Sequence, residues 1–279
     1  MAHALLFASA ALAFADPALA PPNDTVIAVG GYQMHLVIHR GSVPVVLVME
    51  SGGGANLGAW AGVDSMLVRR TGATVVTYDR AGFGSSTIGP ADITPRDQVR
   101  HLHEALDRLG TPRDRVLIGT SYGGLMSVLH ARMFPDRVRG LVLVDPMNPR
   151  FVAATGDFIH TTVPKITDPK TGRDSALARM IRTFPTLIAD PDVGDEGVAA
   201  PIVVVSAGEK WFRNAMADSA WRASHQAMVG AGGNRRLSIA VGSGHDVAAS
   251  RPDLVVEAVG DLLRDFPKRS DQFGRGRER

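Results

Sequence analysis

The chain has 279 residues, enough for one large domain or two small ones, and its 45% hydrophobic and 21% charged residues are the balance of a globular protein with a core. The formal net charge is +2, and much of the basic excess lies in the last stretch of the chain, so the sequence offers no basic face for nucleic acid. There are no cysteines, which excludes disulfides, thiolate metal sites and cysteine nucleophiles.

Residues 4–20 are apolar and rich in small side chains, and they end in Ala18-Leu19-Ala20. This pattern is typical of a signal peptide cleaved after Ala20, and it predicts a periplasmic or secreted protein; without a signal, the chain would be cytoplasmic. No Lys or Arg precedes the apolar run, which leaves an N-terminal helix as the alternative. Asp16 interrupts the run before it reaches the roughly 20 residues of a membrane span, so we expect no stable membrane insertion.

Short runs rich in valine and isoleucine recur along the chain, and they predict strands buried on both faces because they do not alternate with polar residues. The predicted strands lie at 45–49, 74–78, 115–119, 140–144, 201–207 and 236–241. Residues 25–40, interrupted by Gly30-Gly31, fit an antiparallel hairpin at the edge of the sheet.

Helical patterns separate these runs. Residues 94–110 carry an apolar face, with Thr94 and Asp97 as a capping pair, and residues 251–266 carry another, with Pro252 in the first turn. Strands that alternate with helices predict an α/β protein with a doubly wound, mostly parallel sheet.

One region breaks this rhythm. Residues 146–199 contain several prolines and glycines and a single helical pattern at 174–184, which is long for a simple crossover. We predict a small lid or cap insertion here, with an ordinary helix and loose loops as the alternative. The expected domain covers 21–267 and includes this insertion, and a disordered basic tail follows at 268–279.

A serine lies in a glycine-rich corner of the sequence. Residues 119–123 read G-x-S-x-G, follow a predicted strand and precede an apolar, helix-compatible run. On a sharp strand-to-helix turn, glycines avoid the clash of flanking side chains, and the turn exposes the Ser121 hydroxyl at the end of the strand. The N-terminus of the following helix favours negative charge that develops there. Ser121 is therefore a candidate nucleophile, although the stretch alone could be only a turn.

A serine hydroxyl needs a base to become a good nucleophile, and His245 has the most suitable position for that role. It follows the last predicted strand, in a glycine-rich loop that leads into the last helix. Structural explanations suffice for histidines in predicted helices, in the edge hairpin or in the insertion: His35, His39, His101, His103, His130, His160 and His225.

Five stretches in chain order resemble the α/β-hydrolase superfamily, in particular its serine esterases and lipases: SGGGANLGAW (51–60), YDRAGFGSS (78–86), GTSYGG (119–124), LVLVDP (141–146) and GSGHD (242–246). The resemblance covers about residues 26–266, and the last three stretches follow the family's order of serine, acid and histidine. It implies the α/β-hydrolase type of sheet, with Ser121 as the nucleophile. A serine argues against the dehalogenase and epoxide-hydrolase branches of the family, whose nucleophile is an aspartate.

The triad acid has two candidates under this resemblance. In many members it follows the strand predicted here at 201–207, in a pattern like A-G-x-x-D, but Trp211 takes the place of that aspartate and Glu209 stands two residues earlier. The alternative place in the family is after the preceding strand, where this chain has Asp145. We predict that Asp145 orients His245, and Glu209 remains the alternative.

The resemblance also implies an oxyanion hole of two backbone N–H groups. One is that of Tyr122, next to the nucleophile, and the other comes from the loop after the strand at 45–49. Many relatives have His-Gly-x in that loop, whereas this chain has the sequence SGGG at 51–54, and counting back from Trp60 places Gly53 at the donor position. No Gly-Lys-Ser/Thr follows these glycines, which argues against a P-loop.

The resemblance therefore implies a serine hydrolase that cleaves a small-molecule carboxylic ester through an acyl-enzyme, without a metal or organic cofactor. The predicted pocket wall consists of Trp60, Met147, Phe151 and Trp211, although core packing explains each of them equally well. The oligomeric state stays open.

Other activities remain open, because the same scaffold also carries aminopeptidases, C–C bond hydrolases, lactonases and cofactor-free peroxidases. An aminopeptidase would need carboxylates for the substrate amine, and Glu50 or the acidic run at 189–197 could supply them, although surface positions explain both. A non-catalytic binding protein on this scaffold is the alternative from a different class.

Overall fold

An eight-stranded sheet organises the residues that the computed structural model describes, which are 20–156, 172–230 and 232–266. The strands are β1 (Asn23–Val29), β2 (Tyr32–His39), β3 (Val43–Glu50), β4 (Ala73–Tyr78), β5 (Asp114–Thr120), β6 (Val138–Val144), β7 (Ile202–Ala207) and β8 (Arg235–Ala240). Their order across the sheet is β1-β2-β4-β3-β5-β6-β7-β8. Strands β3 to β8 run parallel, and β2 pairs antiparallel with both β1 and β4. The predicted mostly parallel sheet and its edge hairpin are confirmed.

Helices connect the strands on both sides of the sheet. They are α1 (Val63–Thr71), α2 (Pro95–Arg108), α3 (Tyr122–Met133), α4 (Pro149–Thr155), α5 (Gly172–Ile188), α6 (Ala215–Gly230), α7 (Val247–Ser250) and α8 (Pro252–Arg264). Short 3₁₀ turns form at Leu57–Trp60 and Asp195–Gly197.

The sheet is buried on both faces, as expected for strands that are continuous apolar runs. Every residue of β4 and of β7 is buried. One face packs against α1, α7 and α8 through residues such as Leu67 and Leu262, and the other packs against α2, α3 and α6 through residues such as Leu102 and Val128. The two helix layers leave the carboxyl ends of the parallel strands at one common edge, where α/β proteins place their sites.

The start of α2 shows how local sequence sets an element boundary. The Thr94 hydroxyl accepts a hydrogen bond from the Asp97 N–H at 3.1 Å, and the Asp97 carboxylate accepts one from the Thr94 N–H at 3.0 Å. This reciprocal capping box satisfies two N–H groups that the first turn of a helix leaves without partners. The predicted capping pair is therefore confirmed.

The segment between β6 and β7 contains α4 and α5. The helix predicted at 174–184 is part of α5, which extends beyond both of those limits. Phe184 and Leu187 of α5 pack against Leu125 and Leu129 of α3, so this helix covers the end of the sheet that carries the G-x-S-x-G turn. Residues 157–171 lie outside the described part, and the role of 146–199 as a lid stays a prediction.

Both predicted terminal features fall largely on residues that the structure does not describe. The signal peptide predicted at 1–20 lies outside the described residues up to residue 19, and so does the tail predicted at 268–279. Within the described ranges, no helix combines the length and the hydropathy that a bilayer crossing needs.

Candidate active site

Ser121 lies on a sharp turn between β5 and α3, with a φ of 52°. A residue other than glycine rarely adopts such a positive φ, so the surrounding structure must hold the backbone of Ser121 in this conformation. The Ser121 N–H donates to the Val144 carbonyl at 3.2 Å, and the Ser121 carbonyl accepts from the N–H groups of Gly124 and Met147 at 2.9 and 3.1 Å. These backbone bonds fix the strained turn to the end of β6.

The turn has no room for a side chain at either of its two glycines. A Cβ at Gly119 would lie 2.4 Å from the Gly123 carbonyl oxygen. A Cβ at Gly123 would lie 2.3 Å from the Glu50 carbonyl oxygen, at the end of β3. Both contacts are with backbone, which cannot move aside as a flexible side chain would. The predicted steric reason for G-x-S-x-G therefore has two specific partners in the fold.

A buried carboxylate and a histidine form a pair beside this turn. The Nδ1 of His245 lies 2.6 Å from Oδ2 of Asp145, and Asp145 has no exposed surface. The second oxygen, Oδ1, accepts from the Ala207 N–H at 2.9 Å and from Trp221 Nε1 at 3.1 Å. With the carboxylate accepting, the proton of His245 lies on Nδ1 and leaves Nε2 unprotonated for use as a base.

The environment of Asp145 keeps it ionised. Burial alone would raise its pKa, but the hydrogen bonds from His245 and the Ala207 N–H hold the pKa below its ordinary value. Glu209, the alternative acid, is exposed, and within the described residues no hydrogen bond or ion pair joins it to His245.

Two further residues contact Asp145, and no pattern in the sequence predicts their place beside it. Trp221 donates to the carboxylate, as described above, and His225 lies 3.7 Å from the same oxygen. His225 is fully buried, its Nε2–H donates to the Pro146 carbonyl at 2.8 Å, and its Nδ1 accepts from the Ser206 hydroxyl at 2.8 Å. Burial lowers the pKa of His225, so this second histidine stays neutral. Its two hydrogen bonds connect α6 to the ends of β6 and β7.

Ser121 and His245 make no hydrogen bond with each other in the part of the chain that the structure describes. In unliganded enzymes the contact between nucleophile and base is often long, and it shortens when substrate binds. The structure thus brings His245 and Asp145 into contact, and within the described residues the Ser121 hydroxyl makes no hydrogen bond with them.

The two predicted oxyanion donors are both available. Within the described residues, neither the Gly53 N–H nor the Tyr122 N–H donates to another group. Tyr122 is the first residue of α3, so its N–H is one of the groups that a helix leaves unpaired. The guanidinium of Arg80 donates to the carbonyls of Ser51 and Gly52, both at 2.6 Å. Because C=O and N–H point in opposite directions across a trans peptide, Arg80 turns the Gly53 N–H away from itself.

Arg80 belongs to a buried polar cluster beneath this loop. The Tyr78 hydroxyl donates to Oε1 of Glu50, and Arg80 lies 3.7 Å from Oε2 of the same carboxylate. Burial raises the pKa of Glu50, whose side chain is almost completely enclosed. The guanidinium also lies over the ring of Tyr122, with its central carbon 5.3 Å from the centroid. Glu50 is therefore a core residue and not the surface residue that the sequence favoured.

We expect Arg80→Met to lower the free energy of unfolding by about 3–5 kcal/mol, because it leaves a buried carboxylate without its cation. Adding Glu50→Gln should recover a large part of this loss, since the double variant leaves no buried charge at these two positions. Urea unfolding of both single variants and the double variant measures the coupling. Strictly additive losses would show that the pair does not act as a unit.

Asp79 connects the edge hairpin to the loops around the site. Its carboxylate accepts from the N–H groups of Leu57 and Ser85, both at 2.9 Å, and lies 2.8 Å from Nδ1 of His35. The other nitrogen of His35 lies 2.9 Å from Asp24. Burial would lower the pKa of His35, but the hydrogen bonds to the two aspartates outweigh it and raise that pKa above 6.5. Across the described residues, no group of three or more histidine, aspartate or glutamate side chains has the arrangement of a metal site.

The contacts of His35 with Asp24 and Asp79 should make the stability of the fold depend on pH. A histidine whose pKa is raised by folding stabilises the protein fully below its unfolded pKa near 6.5, and this contribution is lost as the pH rises through the folded pKa. We expect the stability advantage of the wild type over His35→Gln to shrink as the pH rises above 6.5. Urea unfolding of the two proteins at pH 5.5, 7 and 9 tests this, and a constant difference would contradict it.

The four predicted pocket residues occupy different environments. Trp60 has no exposed surface and packs in the core with α1 and α8, so the sequence interpretation of it as a pocket wall is corrected to a core residue. Phe151 is also fully buried, with its ring stacked on that of Phe212, so its interpretation as a pocket wall is corrected in the same way. Met147 is partly buried against α3. Trp211 is 41% exposed and lies against His245.

The chain is similar to known hydrolases in sequence and in fold. The model of the family described as alpha/beta hydrolase fold matches residues 45–176. An uncharacterised Bacillus subtilis protein, YqjL, is 25% identical over 236 residues, which cover 84% of this chain and 89% of that protein. The human (lyso)-N-acylphosphatidylethanolamine lipase is 37% identical over 107 residues, but the match spans only 36% of this chain and 30% of the lipase.

The fold has many solved neighbours. The crystal structure of a probable hydrolytic enzyme from Pseudomonas aeruginosa superposes with a TM-score of 0.69 at 16% identity, covering 87% of this chain and 94% of that one. At this identity the similarity concerns the fold alone.

Proposed function

The chain belongs to the α/β-hydrolase superfamily, and from that premise we propose that it is a serine hydrolase that cleaves a carboxylic ester. The observation that carries the proposal is the buried Asp145–His245 hydrogen bond beside a serine held at positive φ. Such a pair is suited to remove the proton of a serine hydroxyl, and this supports the proposal.

In the proposed reaction, Ser121 attacks the ester carbonyl while Nε2 of His245 takes the hydroxyl proton. Asp145 holds the imidazole in the required tautomer and stabilises its positive charge. His245 then gives the proton to the leaving alcohol oxygen as the C–O bond breaks. A water molecule attacks the acyl-enzyme by the same route and releases the acid.

The negative charge that develops on the carbonyl oxygen would be held by the N–H groups of Gly53 and Tyr122. Both are unpaired within the described residues, and α3 directs the positive end of its dipole at the same place. Arg80 supports this role from behind, because its charge polarises the Gly52 carbonyl and thereby the Gly53 N–H.

An ester is a better substrate than a peptide N-terminus for this site. The carboxylates that could have bound an amine are already paired: Glu50 with Tyr78 and Arg80, and Asp195 with Arg150 and Arg235. The name of the human relative, a lipase, also favours ester chemistry, although the match covers less than a third of that protein.

A fluorophosphonate probe tests the proposal directly, because it reacts with activated serines. We expect the wild type to be labelled and Ser121→Ala to stay unlabelled. Hydrolysis of p-nitrophenyl esters of increasing chain length, beside amide and lactone substrates, then identifies the substrate class. A folded wild type without labelling would leave a non-catalytic binding protein as the better interpretation.

Export with cleavage after Ala20 remains a separate proposal, supported by the Ala18-Leu19-Ala20 pattern alone. Mass spectrometry of the protein purified from its own cells determines the mature N-terminus. An N-terminus at Pro21 supports export, and an N-terminus at Met1 contradicts it.

A further inference from the structure

Trp211 lies flat on the imidazole of His245. The two ring centroids are 3.8 Å apart and the planes differ by 11°, which is a face-to-face stack. The edge of Trp221 meets the same imidazole, with centroids 5.7 Å apart and planes at 71°. His245 is thus held between two indoles, one on its face and one at its side, in addition to its bond with Asp145.

The backbone of Trp211 is fixed in this position. Its N–H donates to Oδ1 of Asp218 at 3.2 Å, and Arg222 holds the other oxygen of that carboxylate at 3.0 Å. The start of the loop is tied to the turn that carries His245, because the Glu209 N–H donates to the Ser243 carbonyl at 2.9 Å. The indole therefore sits on an anchored loop, and not on a free surface segment.

A stacked indole suits an imidazole that becomes charged. The face of an aromatic ring is electron-rich and attracts a cation that lies over it, and tryptophan does this best. The Ser121 proton gives His245 its positive charge during catalysis, at the moment when the barrier is crossed. The stack is therefore stronger in the transition state than in the resting site, which is the requirement for an effect on rate.

We propose that Trp211 is a positioning residue for His245: its ring fixes the imidazole plane and stabilises the imidazolium that forms during proton transfer. The proposal rests on the serine-hydrolase function proposed above. Trp211 exchanges no proton. The Oγ–H bond of Ser121 breaks as Nε2 takes the proton and Oγ bonds to the carbonyl carbon, and the proton then leaves on the alcohol oxygen.

This role differs from the pocket wall predicted for Trp211 from the sequence. A wall residue changes substrate binding, and its effect depends on the size of the acyl group. A residue that acts through His245 changes kcat, and its effect is the same for every substrate that needs the base.

The test compares Trp211→Leu and Trp211→Phe with Met216→Leu, a control at a neighbouring residue that is 66% exposed. We expect Trp211→Leu to lower kcat about 3- to 30-fold with KM within about twofold, by the same factor for p-nitrophenyl acetate and octanoate. Inactivation by a small fluorophosphonate should slow by that factor too. Trp211→Phe, which keeps an aromatic face, should recover much of the loss, and Met216→Leu should match the wild type.

A spectroscopic measurement separates the stack from general damage. The ring current of Trp211 should move the His245 ring protons upfield in the wild type, and Trp211→Leu should remove this shift while the circular dichroism stays unchanged. If Trp211→Leu does not fold, Trp211→Met replaces it in every comparison.

Three results would overturn the proposal. A loss that grows with acyl chain length, or that appears in KM alone, would make Trp211 a substrate contact. A Trp211→Leu variant as fast as the wild type would show that the stack has no catalytic effect. These outcomes differ from failure of the serine-hydrolase proposal, which would appear as an unlabelled and inactive wild type.

Discussion

Replacing Ser121 with glycine is expected to lower kcat by about 10⁶-fold and, at the same time, to stabilise the folded chain. The loss follows from removing the nucleophile, after which only binding and the oxyanion donors can assist water. The gain follows from the backbone, because Ser121 has a φ of 52° and such strain costs about 1–3 kcal/mol. Glycine adopts this φ freely but loses about 0.5–1 kcal/mol of chain entropy on folding, so the net gain should be about 1 kcal/mol.

Ser121→Ala is the matched control for this prediction. It removes the same hydroxyl but keeps a Cβ at the strained position, so we expect an equal loss of hydrolysis with little change in stability. Ester hydrolysis and urea unfolding of the three proteins give both quantities. Equal stability of the glycine and alanine variants would mean that the turn stores no strain.

Asp145→Asn is expected to lower kcat by about 10⁴-fold without unfolding the protein. The structure dictates how the new amide must lie. The Ala207 N–H and Trp221 Nε1 both donate to Oδ1, so an asparagine must keep its carbonyl oxygen there and turn its NH₂ toward His245. The Nδ1 of His245 then has to accept, the ring proton moves to Nε2, and the base can no longer take the proton of Ser121.

Glu209→Gln is the control, because it removes the charge of the alternative acid. We expect this variant to keep the activity of the wild type. The kcat of both variants on one p-nitrophenyl ester decides between the acids, and an inactive Glu209→Gln beside an active Asp145→Asn would reverse the assignment.

The architecture was predictable because its signals are local. Runs of apolar β-branched residues predicted the six parallel strands, and the break at Gly30-Gly31 predicted the hairpin of β1 and β2. The capping pair of Thr94 and Asp97 predicted where α2 begins. In each case the residues that determine the element are neighbours in the sequence, or nearly so.

The candidate site was predictable only where a motif stands at the end of a strand. Ser121, Asp145 and His245 each follow a strand of the parallel sheet, so chain order alone brought them to one edge. No local pattern marks Trp221 or His225, which lie on one helix and reach Asp145 from 76 and 80 positions away in the sequence.

Buried charges were the hardest feature to anticipate. Glu50 and Asp195 look like surface residues in the sequence, because an unpaired carboxylate is seldom buried. Both are buried in the fold, where Arg80 lies beside the first, and Arg150 and Arg235 pair with the second. Their partners come from distant segments, so only the tertiary structure reveals that pairing offsets the free-energy cost of burying these carboxylates.

The ties between Ser121 and β6 have a consequence for engineering. β5 and β6 pair in register up to Thr120 and Val144, so the sheet itself sets the spacing of the nucleophile and the acid one residue beyond. Beyond Met147, whose N–H holds the Ser121 carbonyl, no described residue of the connection from β6 to β7 makes a hydrogen bond with Ser121. We therefore expect insertions, deletions or grafted loops in the connection beyond Met147 to alter substrate selectivity while the reaction itself survives, which makes this part a suitable segment for directed evolution.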